Sequence, residues 1–177
     1  MKNSFKNVID LPEIIDTNTP IEEAEQLKYD KLLKNYKELV IININNVERV
    51  INTEKNKAFI IYSFGLSLEL FLKMILLKYI TSDIKRVSSY SHNILEMLNV
   101  IIKSNQIHIK RYCEEINDYL SKIKIANRNI DYKKYTDYRY NHKSDSMDLM
   151  CEEEINDKDK NSIKEVLNCI RQVMECL

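Results

Sequence analysis

Read at helical spacing, the stretch Ser63–Tyr79, SFGLSLELFLKMILLKY, is apolar almost all the way round. A helix of that kind has no face suited to water and must be covered on more than one side. It therefore demands an assembly of several elements packed around it. Two charges, Glu69 and Lys73, sit well inside it, with Lys78 near its end. Burying a charge is costly unless it is paired. These two lie four residues apart on one face, with the glutamate on the N-terminal side, the favourable order. The stretch thus reads as a central rod carrying its own ion pair, Glu69 being a structural partner for Lys73 or for a buried arginine, or else a site residue.

Composition narrows what can surround the rod. The chain has 177 residues, enough for one domain with a real core. Lys plus Arg and Asp plus Glu both number 27, so no global basic field attracts nucleic acid and any polyanion site must be local. The only glycine is Gly65, which excludes the glycine-rich phosphate loops and the usual tight hairpins. Both prolines, Pro12 and Pro20, lie near the N-terminus, so the rest of the chain holds no helix breaker of that kind. The four cysteines, Cys113, Cys151, Cys169 and Cys176, lack C-x-x-C spacing and no histidine completes a zinc pattern, so neither a metal nor a cofactor is expected. Reduced thiols and a cytoplasmic location are expected, with no signal peptide. Residues 58–80 are the one membrane candidate. Ser63, Ser67, Glu69, Lys73 and Lys78 interrupt it, and it is read as a core helix with no membrane role.

Periodicity sets the organisation. Residues 1–18 read as a flexible arm, and residues 19–177 as one helical domain. Thr19-Pro20-Ile21-Glu22 is a helix start, with Thr as N-cap and Pro at the first helical position. The first helix is expected to reach about Ile51, with a possible break at Asn43–Asn46. A second helix is expected over about 54–80, then a loop TSDIKRVSSYS with Ser91 as N-cap, a third helix over 92–104 and a fourth over 107–126. The fourth carries Tyr112, Ile116, Tyr119, Leu120 and Ile123 on one stripe. Residues 127–155 hold no period and form a tyrosine-rich loop; connections that long are often functional. A last helix begins near Asp157 or Asp159, with Ile163, Val166, Leu167, Ile170, Val173, Met174 and Leu177 on its face. The expected fold class is all-α, an antiparallel bundle of four to five helices.

Three segments together resemble the HEPN family. The run Leu68-Glu69-Leu70-Phe71-Leu72-Lys73 is similar to that family's "E-x-x-L-K" helix. Ser91-His92-Asn93-Ile94-Leu95 resembles its "H-D-L" helix start, and Tyr135–Tyr140, YTDYRY, a late "Y…RY" segment. The resemblance spans about residues 20–177. It implies an HEPN-like bundle in a prokaryotic defence or toxin–antitoxin setting. Some members are metal-independent endoribonucleases with an Arg, four to six residues, then His, in a site formed across a dimer. Others bind nucleotides or RNA, often beside a nucleotidyltransferase-type partner. Here the nearest pair is Arg139 and His142, with only two residues between them; Arg128-Asn129 is similar to the start of the motif but has no histidine at the family spacing.

The residue types fit either chemistry. Metal-free RNA cleavage needs a base for the 2′-hydroxyl and a cation for the phosphate, roles that His142 and Arg139 can fill. Binding alone would use Arg128, Tyr135, Tyr138 and Tyr140 as a stacking and phosphate-contacting patch. Tyr132, Lys133, Lys134 and Lys143 lie among them, and the acidic residues after Lys143 offset the charge. The competing reading is that the tyrosines pin an irregular loop to the bundle. His92 reads as a helix-start hydrogen-bonding residue rather than a ligand contact. Cys169 and Cys176 read as core or interface thiols. The leading expectation is a nucleotide- or RNA-binding module that homodimerises through apolar helix surface, the excess hydrophobicity of the second helix being the motive. The alternatives are an endoribonuclease toxin and a helical protein-docking scaffold.

Overall fold

The computed structural model describes residues 21–54, 56–125, 128–133, 135–136 and 154–177. Among these the chain forms six helices: α1 (Ile21–Thr53), α2 (Lys57–Ile75), α3 (Ile84–Ser89), α4 (Ile94–Ile102), α5 (Ile107–Lys122) and α6 (Asp157–Glu175). A two-residue antiparallel ladder, β1 (Lys124–Ile125) with β2 (Arg128–Asn129), follows α5. The all-α class holds, with a helix more than the four or five expected. The expected N-terminal arm and most of the tyrosine-rich loop lie outside the described residues.

α1 is continuous over its 33 residues, and no break occurs at Asn43–Asn46. Asparagine favours turns because its side chain competes for backbone groups. Here the buried series Val40, Ile44, Val47 and Ile51 holds the helical register, and Asn43 Nδ2 donates to Leu39 O one turn back at 2.8 Å. The short link at residues 54–56 returns the chain along α1 as α2, whose N-cap Asn56 accepts from Phe59 N–H at 3.0 Å. α2 ends in a π turn over Leu76–Ile80, closed by Thr81 N–H donating to Leu76 O at 2.9 Å. The wider turn keeps Leu76 and Leu77 buried while Lys78 faces solvent.

The segment expected as a loop contains α3. Asp83 caps it, its carboxylate accepting from Lys85 N–H at 2.9 Å and Arg86 N–H at 3.1 Å. Ser91 is not the N-cap of the next helix. It sits at φ 49° in the left-handed region, and Asn93 caps α4 instead. Asn93 Oδ1 accepts from Glu96 N–H at 3.2 Å, and Asn93 Nδ2 donates back to Glu96 at 2.7 Å. α6 starts in the same manner: Asn156 accepts from Asp159 N–H and donates to the Asp159 carboxylate, both at 2.8 Å.

The helices close on themselves. α1 packs along α2, α2 against α4, α4 against α5, α5 against α6, and α6 back on α1. The α6 residues Ile163, Val166, Leu167, Ile170, Val173 and Met174 are all buried, as their spacing predicts. The segment Lys57–Ile80 is long and apolar enough to cross a membrane by composition, yet 72% of its apolar window is buried inside the fold. The neighbours of α2 within the chain therefore consume the surface that motivated a homodimer. That expectation loses its sequence argument.

Gly65 lies mid-helix in α2 against the ring of Tyr135. A Cβ there would come within 2.6 Å of Tyr135 Cγ, and closer still to Cδ2. Alanine in a helix interior gains ~0.5–1 kcal/mol over glycine, while overpacking a core costs ~1–3 kcal/mol. The ring cannot withdraw freely, because its hydroxyl is held at the far end. Gly65→Ala is thus expected to destabilise the protein by about 1–2 kcal/mol, the overpacking outweighing the propensity gain. A denaturant midpoint that rises would show the ring yielding to the methyl group.

Candidate functional site

Glu69 is the hub of a polar cluster inside the bundle. α2 places Glu69 and Lys73 one turn apart, and Lys73 Nζ donates to Glu69 Oε1 at 2.7 Å. The side chains are 6% and 14% exposed, so the pair is formed largely out of water. This is the pairing that the four-residue spacing predicts. The other carboxylate oxygen, Oε2, takes two further partners. His92 Nδ1, from the turn before α4, lies 2.7 Å away. The Tyr135 hydroxyl donates to the same oxygen in a short hydrogen bond.

The rings pack accordingly. His92 meets Tyr135 edge-on, at 6.0 Å between centroids and 87° between planes. Tyr62 of α2 lies against the Tyr135 ring at 6.2 Å. The left-handed backbone at Ser91 is uncommon for a residue with a side chain. It sits immediately before the histidine that reaches the hub.

The electrostatics follow from these contacts. Burial pushes the Glu69 carboxyl up, but hydrogen bonds from Lys73, Tyr135 and His92, with the Lys73 charge, outweigh it and hold the group below its ordinary value of 4.5. The Tyr135 hydroxyl is driven strongly upward by burial and then by the Glu69 charge, so it stays neutral and donates. Tyr36 of α1 is raised by burial and by the same Glu69 charge, which places the α1 face within reach of the hub's field.

Glu69 has its lower value only in the folded state, so below 4.5 the unfolded chain takes up a proton first. The stability this group contributes is complete above about pH 4.5 and is lost as pH falls through the depressed folded value. Glu69→Gln is expected to flatten the fall in urea midpoint across that acid range. A variant as acid-sensitive as the wild type would assign the acid transition to other carboxylates.

The sequence-predicted residues separate clearly. Glu69, Lys73 and His92 come together. The His92 side chain bonds the Glu69 carboxylate, while its backbone carbonyl accepts from Ile94 N–H at the start of α4 at 2.9 Å. Tyr135, expected in a ligand-stacking patch, is fully buried and offers no face to a ligand. Tyr132 is buried as well, so for these two tyrosines the loop-pinning role is the one the fold uses. Arg128 lies in β2, where its backbone pairs with Ile125. Tyr138, Arg139, Tyr140 and His142 lie outside the described residues. Cys169 is a buried thiol, as expected of a core position, whereas Cys176 is exposed. Burial, with nearby acidic groups, pushes Cys113 up to about 12 and Cys169 up to about 11, so neither is a thiolate nucleophile at neutral pH.

One buried pair has no counterpart in the sequence reading. Lys57 Nζ lies 2.8 Å from Asp159 Oδ2, with side chains 2% and 4% exposed. It joins the start of α2 to the start of α6, beside a single antiparallel bridge between Asn56 and Glu154. Comparison with family models, curated proteins and solved structures finds no match to this chain.

Proposed function

We propose that the chain is an HEPN-like nucleotide- or RNA-binding protein of a prokaryotic defence or toxin–antitoxin system. One observation carries the reading. The segments on which the HEPN resemblance rests are ELFLK, SHNIL and YTDYRY, and each sends a side chain to one carboxylate: Lys73 and Glu69 itself from the first, His92 from the second, Tyr135 from the third. Segments with no common purpose have no reason to meet at a single buried group. The cluster also anchors the first residue of YTDYRY, whose later members in sequence are Tyr138, Arg139 and Tyr140.

The hub itself is a scaffold for the ligand surface, since Glu69 and Tyr135 are buried. Its charge is balanced by Lys73, so it does not repel an approaching polyanion. Binding is expected to be salt-sensitive, because each phosphate contact releases condensed counterions.

The test uses the full chain with single-stranded RNA in EDTA, beside an Arg139→Ala/His142→Ala double variant. Binding without cleavage, weakened by salt and by the double substitution, is the expected result. Metal-independent cleavage lost in the variant would establish the endoribonuclease reading in its place. Absence of both binding and cleavage would overturn the nucleic-acid reading and leave a protein-docking bundle.

A further inference from the structure

The outward face of α1 carries a charge pattern with the same order of signs in both directions. Lys37-Glu38 stands eleven residues before Glu48-Arg49. Eleven residues make about three helical turns, so Lys37 and Glu48 share one side of the face and Glu38 and Arg49 the other. Between the two blocks stand Ile41 and Ile42, 45% and 54% exposed, and the exposed Asn45. Single exposed apolar residues are ordinary. These two are adjacent and framed by charges of both signs. Among the described residues Lys37, Glu38 and Arg49 form no ion pair, and Glu48 is engaged by Arg171 through Oε1.

Such a pattern is complementary to its own copy turned end for end. A two-fold axis passing α1 near residue 43 lays the helix antiparallel on a second α1. Glu38 then meets the partner's Arg49, and Lys37 approaches the partner's Glu48. Each contact occurs twice, as in any isologous interface. The same turn brings the partner's Ile41 to the level of Asn45 on the α6 side. A groove of about 220 Å³ lies there, lined by Ile41, Ile44, Asn45, Arg171 and Met174 among others. Each copy thus offers both a seat and the residue that fills it. Lys34 comes to the last turn of the partner's α1. That turn has no basic residue of its own, and a helix C-terminus favours a cation. We infer that this face of α1 is an interface on which a second copy of the chain docks antiparallel, about an axis near residue 43. It lies apart from the covered surface of α2 and requires no ligand, so its failure would leave the nucleic-acid reading untouched.

Sedimentation equilibrium of the full chain over roughly 1–100 μM tests the interface, since one helix pair buries an area at the small end for specific association. A monomer–dimer equilibrium within that range is expected. Ile41→Asp should weaken it by about tenfold or more, because a carboxylate would have to enter the apolar groove. Glu38→Arg and Arg49→Glu should each weaken it by about tenfold, the wrong charge occurring twice per dimer. The double variant Glu38→Arg/Arg49→Glu should return to the wild-type dissociation constant, because the reversed charges meet again across an antiparallel contact. In a parallel contact they would meet Lys37 and Glu48 instead, each its own kind, and association would weaken further. Helical circular dichroism confirms that every variant is folded. A wild type that stays monomeric throughout, a dimer indifferent to Ile41→Asp and Glu38→Arg, or a double variant no tighter than either single one overturns the inference.

Discussion

Asp159→Ala is expected to lower stability by about 3–5 kcal/mol, the range for breaking a buried ion pair by removing one partner. Exposed pairs contribute ~0–1 kcal/mol, because water screens them and two long side chains lose entropy. Lys57 and Asp159 are nearly dry, at 2% and 4% side-chain exposure and 2.8 Å apart. Removing the carboxylate takes the Asp159 charge away from a buried ammonium at the first residue of α2, where the positive end of the helix dipole already disfavours a cation. It also removes half of the reciprocal Asn156–Asp159 cap that begins α6. The check is urea unfolding, where the midpoint should fall with the slope unchanged. Glu48→Ala provides the contrast, since the Glu48–Arg171 pair is 39% and 36% exposed and should cost under about 1 kcal/mol. A Lys57→Met/Asp159→Leu double variant should recover most of the loss, because apolar replacement of a buried pair is often neutral. Equal losses for Asp159→Ala and Glu48→Ala would mean that water reaches the Lys57 pair.

The contrast between these pairs also shows what a sequence carries locally. Glu69 and Lys73 were legible because their partnership lies within one helical turn. The buried face of α6 was legible for the same reason, since Ile163, Val166, Leu167 and Ile170 declare their common side by spacing alone. Lys57 and Asp159 belong to different helices, and a lysine at a helix start is by default a solvated one. Nothing in either neighbourhood marks them as a pair. Short-range misreadings have equally definite causes. Ser91 is a good N-cap residue type, but the glutamate three residues after Asn93 completes a reciprocal cap there instead. α3 is too short to show a period, though Asp83 was a visible start signal. The resemblance placed Glu69, His92 and Tyr135 in segments of interest, but spacing could not bring them together. That contact depends on how α2, the turn before α4 and the Tyr135 segment pack. It also depends on the missing Cβ at Gly65, which leaves room for the Tyr135 ring.

Glu69→Ala is the second large effect expected, about 3–5 kcal/mol by the same buried-pair argument, and toward the lower end because Lys73 is close enough to water to turn outward. The loss has three parts. Lys73 is left without its carboxylate, the Tyr135 hydroxyl loses its acceptor in a buried site, and His92 loses the group that orients it. Tyr135→Phe removes only one of these contacts. Glu69 keeps Lys73 and His92, so that variant should lose about 1–2 kcal/mol, the scale of one hydrogen bond to a charged group. The two substitutions share a partner, so their effects should not add: Glu69→Ala/Tyr135→Phe should be less destabilised than the sum of the single variants, by about 1 kcal/mol or more. Urea midpoints for the three proteins test this directly. Strict additivity would mean that Tyr135 is held by its ring packing on Gly65 and Tyr62 alone, and that Glu69 serves only Lys73 and His92. The coupled outcome has a structural consequence, because one carboxylate would then hold both the His92 ring and the Tyr135 base of the YTDYRY segment. Glu69→Ala should consequently release both elements from α2, whereas Tyr135→Phe should leave the His92–Glu69 contact intact.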